Sequence, residues 1–471
     1  MATERLPDRL AAPVDGASLG VFRAAFGLMM LYSIVRFWAK GWISELYIEP
    51  ELLFPYWGFS WLEPWPGIGM YVHFAVLGVL ACLIMLGLWS RPALVLFFVG
   101  FTYVELLDRT TYLNHYYFIS ILSLLLAFLP VERAVSLSRW LGRTTGPQSV
   151  PHWALIVVRC QVGLVYVFAG LAKLRADWLL RGEPLHTWLA ARSDIPWIGA
   201  WLDDQAVAIG ASWAGALFDL CIVPLLLWRR TRVPAYCALV GFHLVTGYLF
   251  SIGVFPIVMI LGATIFFEPS WPRRFMRRPA APPSEASHEP QAAGLRRPLA
   301  WLGATLIAIH FAFQLAFPMR NLLYPGDTLW TEEGYRFGWR VMLMEKTGEI
   351  DLRVVDNRDG RSWLVSPRER LTPFQYRMMA TQPDMMLTFA HHLASEWHDR
   401  GHEDVSVYAE AWAALNGRRR QRLVDPHVDL AKETEGWAPK RWIVPLAPDP
   451  DIDDLGNSSV AVSEPPDPIA H

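Results

Sequence analysis

The chain is poor in cysteine and in charge, and each shortage argues against a class of protein. Only four of the 471 residues are cysteines, and all four lie in apolar stretches, so we expect neither a disulfide scaffold nor a zinc–cysteine cluster. Charged residues make up 18%, against about 25% in soluble domains. The formal net charge of −2 predicts no basic surface for nucleic acid.

Several catalytic motifs are also missing. The sequence contains no glycine-rich phosphate loop, dinucleotide fingerprint, nucleophile elbow or His-Glu-x-x-His motif. A soluble-cofactor dehydrogenase, a kinase or a zinc protease is therefore not expected, and neither is a metal site.

Apolar sequence is what the chain has in excess, since 53% of its residues are hydrophobic. A membrane-crossing helix needs about 20 apolar residues. Five runs reach that length, and two further regions are each split by a short polar break, at Asp108–Asn114 and at Ser251-Ile252, into pieces that need not each span fully. Together they predict about nine transmembrane helices: Ser18–Ala39, Gly67–Trp89, Pro92–Leu107, His115–Pro130, Pro151–Leu174, Ala206–Trp228, Pro234–Phe250, Gly253–Phe267 and Pro298–Phe317.

The basic residues between these segments predict the orientation. Alternate connections, beginning with the N-terminus, hold fifteen arginines and lysines, whereas the others hold six. Cytoplasmic loops carry the excess of such residues. The N-terminus is therefore predicted to be cytoplasmic and the region beyond Phe317 extracytoplasmic. Only five of the basic residues are lysines, a bias typical of GC-rich bacterial genomes, which favours a bacterial inner membrane.

These features predict a membrane all-α bundle followed by an extracytoplasmic, mainly β (α+β) domain. The predicted regions are a cytoplasmic N-terminus at 1–17, a transmembrane domain at 18–317 with a disordered cytoplasmic linker at 279–297, a β-rich domain at 318–446 and a disordered tail at 447–471. Patterning in the β-rich domain predicts strands at Arg336–Glu345 and Ile350–Asp356, a helix at Asp384–Asp399, and a hairpin in which Asn416-Gly417 joins Val405–Leu415 to Arg420–Val424.

Ionisable residues inside apolar segments are costly and mark candidate sites. Arg159 and Asp219 lie at similar depths in neighbouring segments, which predicts a buried ion pair that fixes helix packing. Lys173 lies at the outer end of its segment, on the helical face of Tyr166, Ala169 and Gly170. These small residues would let a flat ligand approach Lys173, but the same lysine could instead extend to the membrane interface.

The candidate histidines fall into three groups. The polar break Asp108–Asn114, followed by His115, forms either a solvated loop or a polar niche at the level of Lys173. His243 and His310 each stand alone on an apolar helix, where a hydrogen-bonded core residue is the commoner outcome. The remaining candidates are interpreted as surface or core residues: His391, His392, His398 and His402.

At these residues the chain resembles the vitamin K-dependent γ-glutamyl carboxylase family, which includes bacterial proteins with the related transmembrane domain. The resemblance runs in order over roughly residues 18–446. Its matching runs are Leu107-Asp-Arg-Thr110, Asn114-His115-Tyr-Tyr, Val158-Arg-Cys-Gln161, Tyr166 with Ala169-Gly170, Lys173-Leu-Arg-Ala-Asp177-Trp178, Phe242-His243, Leu249-Phe-Ser-Ile-Gly253 with Phe255, Glu268-Pro-Ser-Trp-Pro-Arg273, Trp330-Thr-Glu-Glu-Gly-Tyr335, Arg420-Gln-Arg-Leu-Val-Asp-Pro426 and Trp442.

The resemblance implies an integral membrane enzyme that couples two reactions. Reduced vitamin K, a naphthohydroquinone, is oxygenated by O2 to its epoxide, and the strong base formed on the way lets a glutamyl side chain of a peptide or protein take up CO2. It also implies roles for individual residues. Lys173 deprotonates the hydroquinone, His115 assists at the same site, and Asn114, Tyr166 and His243 line the quinone pocket, with no metal involved.

The sequence departs from the family in two places. Relatives commonly carry a histidine just after the last helix, where this chain has Asn321, and the animal enzymes extend well beyond the position of Pro445. Two alternatives therefore stay open beside the carboxylase: a quinol mono-oxygenase without peptide carboxylation, and a non-enzymatic transporter or scaffold. Transporters commonly show internal repeats, and none is apparent here.

Overall fold

The computed structural model describes residues 6–250, 252–276 and 293–448. The chain folds into two units that alternate along the sequence. The first contains the described residues of Met1–Ala172, Gly215–Asn321 and Gly334–Val341, and the second those of Lys173–Ala214, Leu322–Glu333 and Met342–His471. The sequence predicted one boundary near residue 317. The division in the structure is more complex, because the segment after Ala172 joins the second unit and Gly334–Val341 joins the first.

Helices make up most of the first unit. Its α-helices are Leu6–Ala11, Ala17–Ala39, Trp42–Tyr47, Gly69–Leu86, Ser90–Leu107, Asn114–Phe128, Leu137–Trp140, His152–Ala172, Gln205–Leu227 (up to Ala214 in the second unit), Arg232–Phe250, Phe255–Ala263, Trp271–Phe275 and Ala293–Ala316. Short 3-10 turns occupy Arg109–Thr111, Thr264–Phe266 and Phe317–Leu323, the last continuing into the second unit. Strands Pro13–Asp15 and Ser149–Pro151 pair antiparallel.

Seven helices within the described residues are long and apolar enough to cross a membrane, so the chain is a multi-pass membrane protein. They are Ala17–Ala39, Gly69–Leu86, Ser90–Leu107, His152–Ala172, Gln205–Leu227, Arg232–Phe250 and Trp301–Leu323. Asn114–Phe128 and Phe255–Phe266 are apolar but shorter. The 15 residues of Asn114–Phe128 rise only about 22 Å, less than the roughly 30 Å of a hydrocarbon core. The total of nine passes therefore stays a prediction.

Close helix contacts build the interior of the first unit. A Cβ atom at Gly27 would lie 2.3 Å from the backbone nitrogen of Met85, so any side chain there would force these two helices apart. Phe97 packs edge-on against Phe26 and stacks on Phe101. Large apolar side chains elsewhere on the long helices are exposed, as expected where lipid rather than water surrounds them.

The second unit is built on one small antiparallel sheet. Its strands lie in the order Ser362–Val365, Lys346–Asp356, Val405–Leu415 and Gln421–Arg422. The helix Pro383–Asp399 buries Met386, Phe389 and Leu393 and packs on the strand Val405–Leu415. Its other helices are Ala176–Leu179, Leu185–Ala190, Gly199–Leu202, Thr328–Thr331 and Pro373–Met379, with a 3-10 turn at Pro367–Glu369.

Of the secondary structure predicted for the second unit, the hairpin is present and one strand is not. The hairpin is confirmed, because Asn416 and Gly417 have φ angles of 48° and 74°, and Arg418 N donates to Leu415 O at 3.0 Å. The strand predicted at Arg336–Glu345 is wrong, because the strand begins at Lys346 and the residues before it form turns and irregular backbone.

The predicted disordered regions largely fall outside the described residues. Positions 279–292 of the linker and 449–471 of the tail are not described. Positions 293–297 belong to the helix Ala293–Ala316, which starts earlier than the apolar run suggested.

Candidate functional site

A hydrogen-bonded tyrosine–histidine pair lies inside the first unit. Tyr166 Oη is 2.9 Å from His243 Nε2, which joins the helices His152–Ala172 and Arg232–Phe250. Each of these two residues is only 2% exposed. His243 Nδ1 is buried and has no hydrogen-bond partner in the part of the chain that the structure describes. Buried polar atoms nearly always have a partner, so this nitrogen is a candidate ligand contact.

His115 approaches the same pair across one aromatic ring. The ring centroid of Phe255 lies 5.8 Å from that of His115 and 5.9 Å from that of His243. His115 is itself buried, with 8% of its surface exposed. Two of the predicted site residues, His115 and His243, therefore contact Phe255, and a third, Tyr166, joins them through its hydrogen bond to His243.

The first part of the polar break before His115 is buried rather than solvated. Asp108, Arg109 and Thr110 are each less than 5% exposed. Asp108 Oδ1 accepts a hydrogen bond from Thr110 N at 2.8 Å, and Arg109 N donates to Phe54 O at 2.7 Å. These bonds hold the 3-10 turn that sets where the helix carrying His115 begins.

Asn114 uses its side-chain amide to fix the chain. Its Nδ2 donates to Arg340 O at 2.8 Å, and its Oδ1 accepts from the Tyr112 hydroxyl at 3.0 Å. The backbone nitrogen of Phe337 donates to that same hydroxyl at 2.6 Å. Asn114 thus ties the segment Gly334–Val341 to the start of the helix on which His115 is the next residue. Contact of Asn114 with a quinone stays a prediction.

Gly170 has a different role from the one the sequence suggested. A Cβ atom there would lie 2.8 Å from two side-chain carbons of Leu220 and 3.0 Å from its backbone nitrogen. The position is glycine because two helices approach closely, and no space for a flat ligand is left on that side. The same packing brings Asp219, which is 5% exposed, within electrostatic range of Tyr166.

In the structure, Arg159 does not form the predicted ion pair with Asp219. Its guanidinium donates to Ile265 O at 2.9 Å and to Phe267 O at 3.1 Å. Ile265 lies in the 3-10 turn Thr264–Phe266 that ends the helix Phe255–Ala263, and Phe267 follows this turn. Backbone oxygens at the end of a helix lack helical partners. Arg159 therefore caps a helix end, which is still a structural role.

Lys173 belongs to the second unit and follows directly on the helix His152–Ala172. It is 5% exposed, so it does not extend into solvent. Its Nζ lies 5.2 Å from the centroid of the Trp178 ring, within the range of a cation–π contact. Trp178 is held in turn by its own Nε1, which donates to Ser212 O at 2.7 Å.

Four residues after Lys173, Asp177 anchors this segment to the hairpin turn of the second unit. Arg418 donates to both carboxylate oxygens, at 2.7 and 2.8 Å, Arg181 donates at 2.9 Å and Asn416 at 3.1 Å. Burial raises the pKa of Asp177, but these hydrogen bonds and the charges of Arg418 and Arg181 outweigh burial and hold the pKa below its usual value. The sequence did not predict this anchor, because Asn416-Gly417 signalled only a turn.

Three other histidines make hydrogen-bonding contacts inside the protein. His391 Nε2 lies 2.8 Å from Glu433 O, His402 Nδ1 lies 2.7 Å from Asp356 Oδ2, and His310 Nε2 lies 2.9 Å from Gln161 Oε1. Within the described residues, no group of three or more histidine, cysteine, aspartate or glutamate side chains is arranged to hold a metal ion.

Comparison with known proteins gives two matches that together span most of the chain. Residues 11–271 match the family model described as HTTM domain. Residues 300–449 match the model described as vitamin K-dependent gamma-carboxylase, lumenal domain. No solved structure matches the chain.

Proposed function

Because the chain belongs to the vitamin K-dependent gamma-carboxylase family, we propose that it is a membrane enzyme that oxygenates reduced vitamin K with O2 to the epoxide and uses the base so formed to carboxylate glutamyl side chains with CO2. The observation that carries the proposal is the buried Tyr166–His243 pair. His243 Nδ1 has no hydrogen-bond partner among the described residues, and the His243 ring packs on Phe255, which also contacts the ring of His115.

The residues around Phe255 fit a naphthohydroquinone. Such a ligand is flat, apolar on both faces and polar only at its ring oxygens. Phe255 offers an aromatic face, and His243 Nδ1 is a buried nitrogen that a ring oxygen could satisfy. Tyr166 fixes the orientation of His243 through the 2.9 Å hydrogen bond at Nε2. We therefore assign ring binding to His243 and Phe255, and orientation of the imidazole to Tyr166.

Lys173 is proposed as the base that removes a proton from the hydroquinone, with His115 assisting. A base must be neutral to accept a proton, and a lysine amine can be neutral, whereas a guanidinium remains protonated. Burial of Lys173 to 5% exposure supports this role over that of an interfacial anchor. Trp178 and Asp177 hold the segment that carries Lys173.

The enzyme is proposed to lie in a bacterial inner membrane with its N-terminus in the cytoplasm and its C-terminal domain outside. A lipid-borne quinol would reach a site among the helices, and a glutamyl peptide or protein would come from the aqueous side. Burial of the imidazoles keeps water from a strong base, which would otherwise be quenched before it acted on the glutamyl carbon.

One assay tests the proposal. The purified full chain in lipid nanodiscs is given a reduced naphthoquinone, O2, labelled bicarbonate and a glutamate-rich peptide, and epoxide and fixed label are measured separately. We expect both products. Epoxide without fixed label would replace the carboxylase by a quinol mono-oxygenase, the alternative that Asn321 leaves open. Absence of both products, with the protein folded and quinol-loaded, would contradict the proposal.

A further inference from the structure

A cavity of about 310 Å³ lies in the first unit between the helices Ser90–Leu107, Asn114–Phe128 and Ala293–Ala316. Its walls include the rings of Tyr56, Tyr112, Tyr117, Phe313 and Phe337. The volume is at the lower end of the range found for small-molecule sites, about 300–1,000 Å³.

This cavity is separate from the cluster around Phe255. Tyr117, which lines it, lies two positions after His115 on one helix, so the two side chains point about 160° apart around the helix axis. Tyr117 packs on Phe337 and Trp339, whereas His115 packs on Phe255. A ligand in the cavity therefore cannot be the ring that contacts His243.

Two acceptor groups in the cavity wall lack partners in the part of the chain that the structure describes. Gln314 is 2% exposed, and its Nε2 donates to the Tyr117 hydroxyl at 3.0 Å, but its Oε1 has no partner among the described residues. Glu105 also lines the cavity, and no hydrogen bond or ion pair to its carboxyl group is found in the described part of the chain. A carboxyl group in an apolar helix and an unpaired buried amide oxygen both indicate a ligand that donates hydrogen bonds.

We propose that this cavity is a second binding site for a lipid-borne hydroquinone, which donates its hydroxyl groups to Gln314 and Glu105 and packs its ring against the aromatic wall. The proposal rests on the proposed function, since that function brings hydroquinone to the protein. An oxidised quinone has acceptor oxygens only and would leave Gln314 Oε1 unsatisfied, so the site should select the reduced form. A second site of this kind would hold reduced substrate in the protein while the first site turns over.

A lipid acyl chain fits the cavity less well. It would fill the space between the rings but would leave the amide oxygen and the carboxyl group without partners, which is costly in an apolar surrounding. Acyl-chain occupancy is therefore kept as an outcome of the test.

The test measures how many hydroquinones bind per chain. The purified full chain in nanodiscs is titrated with a radiolabelled short-chain naphthohydroquinone under anaerobic conditions, so that no turnover occurs. We expect two hydroquinones per wild-type chain. In Gln314→Leu the second site should bind about tenfold more weakly, so that about one hydroquinone is bound per chain at the concentration that just saturates the wild type. A cavity-filling variant, Leu124→Phe, should lose the same site without altering any polar group. His243→Ala should lose the other site, and Gln314→Leu/His243→Ala should bind none.

Binding of the oxidised quinone, measured alongside, should reach one per chain at the same concentrations. One hydroquinone per wild-type chain, lost in His243→Ala but not in Gln314→Leu or Leu124→Phe, would overturn the second site and leave the proposed function intact. Equal binding of oxidised and reduced forms in the cavity, or displacement of the bound ring by phospholipid alone, would also overturn it. No hydroquinone bound to a folded wild-type chain would instead contradict the proposed function itself.

Discussion

Replacing Arg418 by alanine should loosen the segment that carries Lys173. In the wild-type chain Arg418 meets Asp177 with two hydrogen bonds of 2.7 and 2.8 Å, and the two side chains are 9% and 11% exposed. The substitution leaves the buried carboxylate with Arg181 at 2.9 Å and Asn416 at 3.1 Å.

The size of the effect follows from what remains. Removing one partner of a buried ion pair costs about 3–5 kcal/mol, because the other charge stays buried. Since Arg181 and Asn416 still stabilise Asp177, we expect the lower end, about 3 kcal/mol of unfolding free energy. For a unit of this size, that corresponds to a fall in melting temperature of about 6–12 °C.

The assay is thermal unfolding of the purified protein in detergent, with hydrogen exchange at the hairpin turn as a local readout. Arg422→Ala is the matched control, because Arg422 pairs with Glu410 at 2.9 Å on the same hairpin but with 39% and 56% of the side chains exposed. Exposed pairs contribute about 0–1 kcal/mol. Equal losses in the two variants, or no loss in Arg418→Ala, would refute the reasoning.

The same pair predicts a pH dependence. The pKa of Asp177 is lower in the folded protein than the ordinary value near 3.9, so the ionised form favours folding. This contribution is complete above about pH 5 and is lost as the pH falls through the folded pKa. The stability gap between wild type and Arg418→Ala should therefore narrow below about pH 4. A gap that stays constant on acidification would show that Asp177 is not the group stabilised by Arg418.

Two further substitutions test the site itself. Tyr166→Phe removes the hydroxyl 2.9 Å from His243 Nε2. It should lower the rate of quinol oxygenation at least tenfold and reduce the free energy of unfolding by about 1–3 kcal/mol. An unchanged rate would exclude an orienting role for Tyr166. Gly170→Ala should lower the free energy of unfolding by about 1–3 kcal/mol, because its Cβ would lie 2.8 Å from Leu220 side-chain carbons. In the control Gly241→Ala the new Cβ meets nothing within 4 Å, so stability should be unchanged or higher. Equal melting temperatures for the two variants would contradict the close helix packing at Gly170.

Sequence predicted the helices and the hairpin well because their signals are local. A long apolar run is sufficient to specify a membrane helix, and Asn416-Gly417 supplies the positive φ angles of a tight turn by itself. The strand prediction for Arg336–Glu345 was wrong because contacts with distant residues decide its structure. Its alternating pattern resembles a strand, but Phe337 packs on Tyr117 and Trp339 lies fully buried, so helices rather than a sheet partner cover its apolar residues.

The candidate site was predicted only as a set of residues. Depth along a helix can be read from the sequence, but the direction in which a side chain points around the helix cannot. Arg159 and Asp219 lie at similar depths, yet Arg159 turns toward the carbonyls of Ile265 and Phe267. The hydrogen bond between Tyr166 and His243 joins residues 77 positions apart, and nothing in the local sequence signals it.

The most direct test of the account is epoxide formation by Lys173→Arg. Purified in nanodiscs and supplied with hydroquinone and O2, this variant should form almost no epoxide, because guanidinium cannot accept the proton. Lys40→Arg, a lysine-to-arginine change at the exposed end of the helix Ala17–Ala39, should behave as wild type. Lys173→Ala should be equally inactive and should partly recover with small exogenous amines, which supply the missing proton acceptor. Near-normal epoxide formation by a folded Lys173→Arg variant would contradict the assignment of Lys173 as the base.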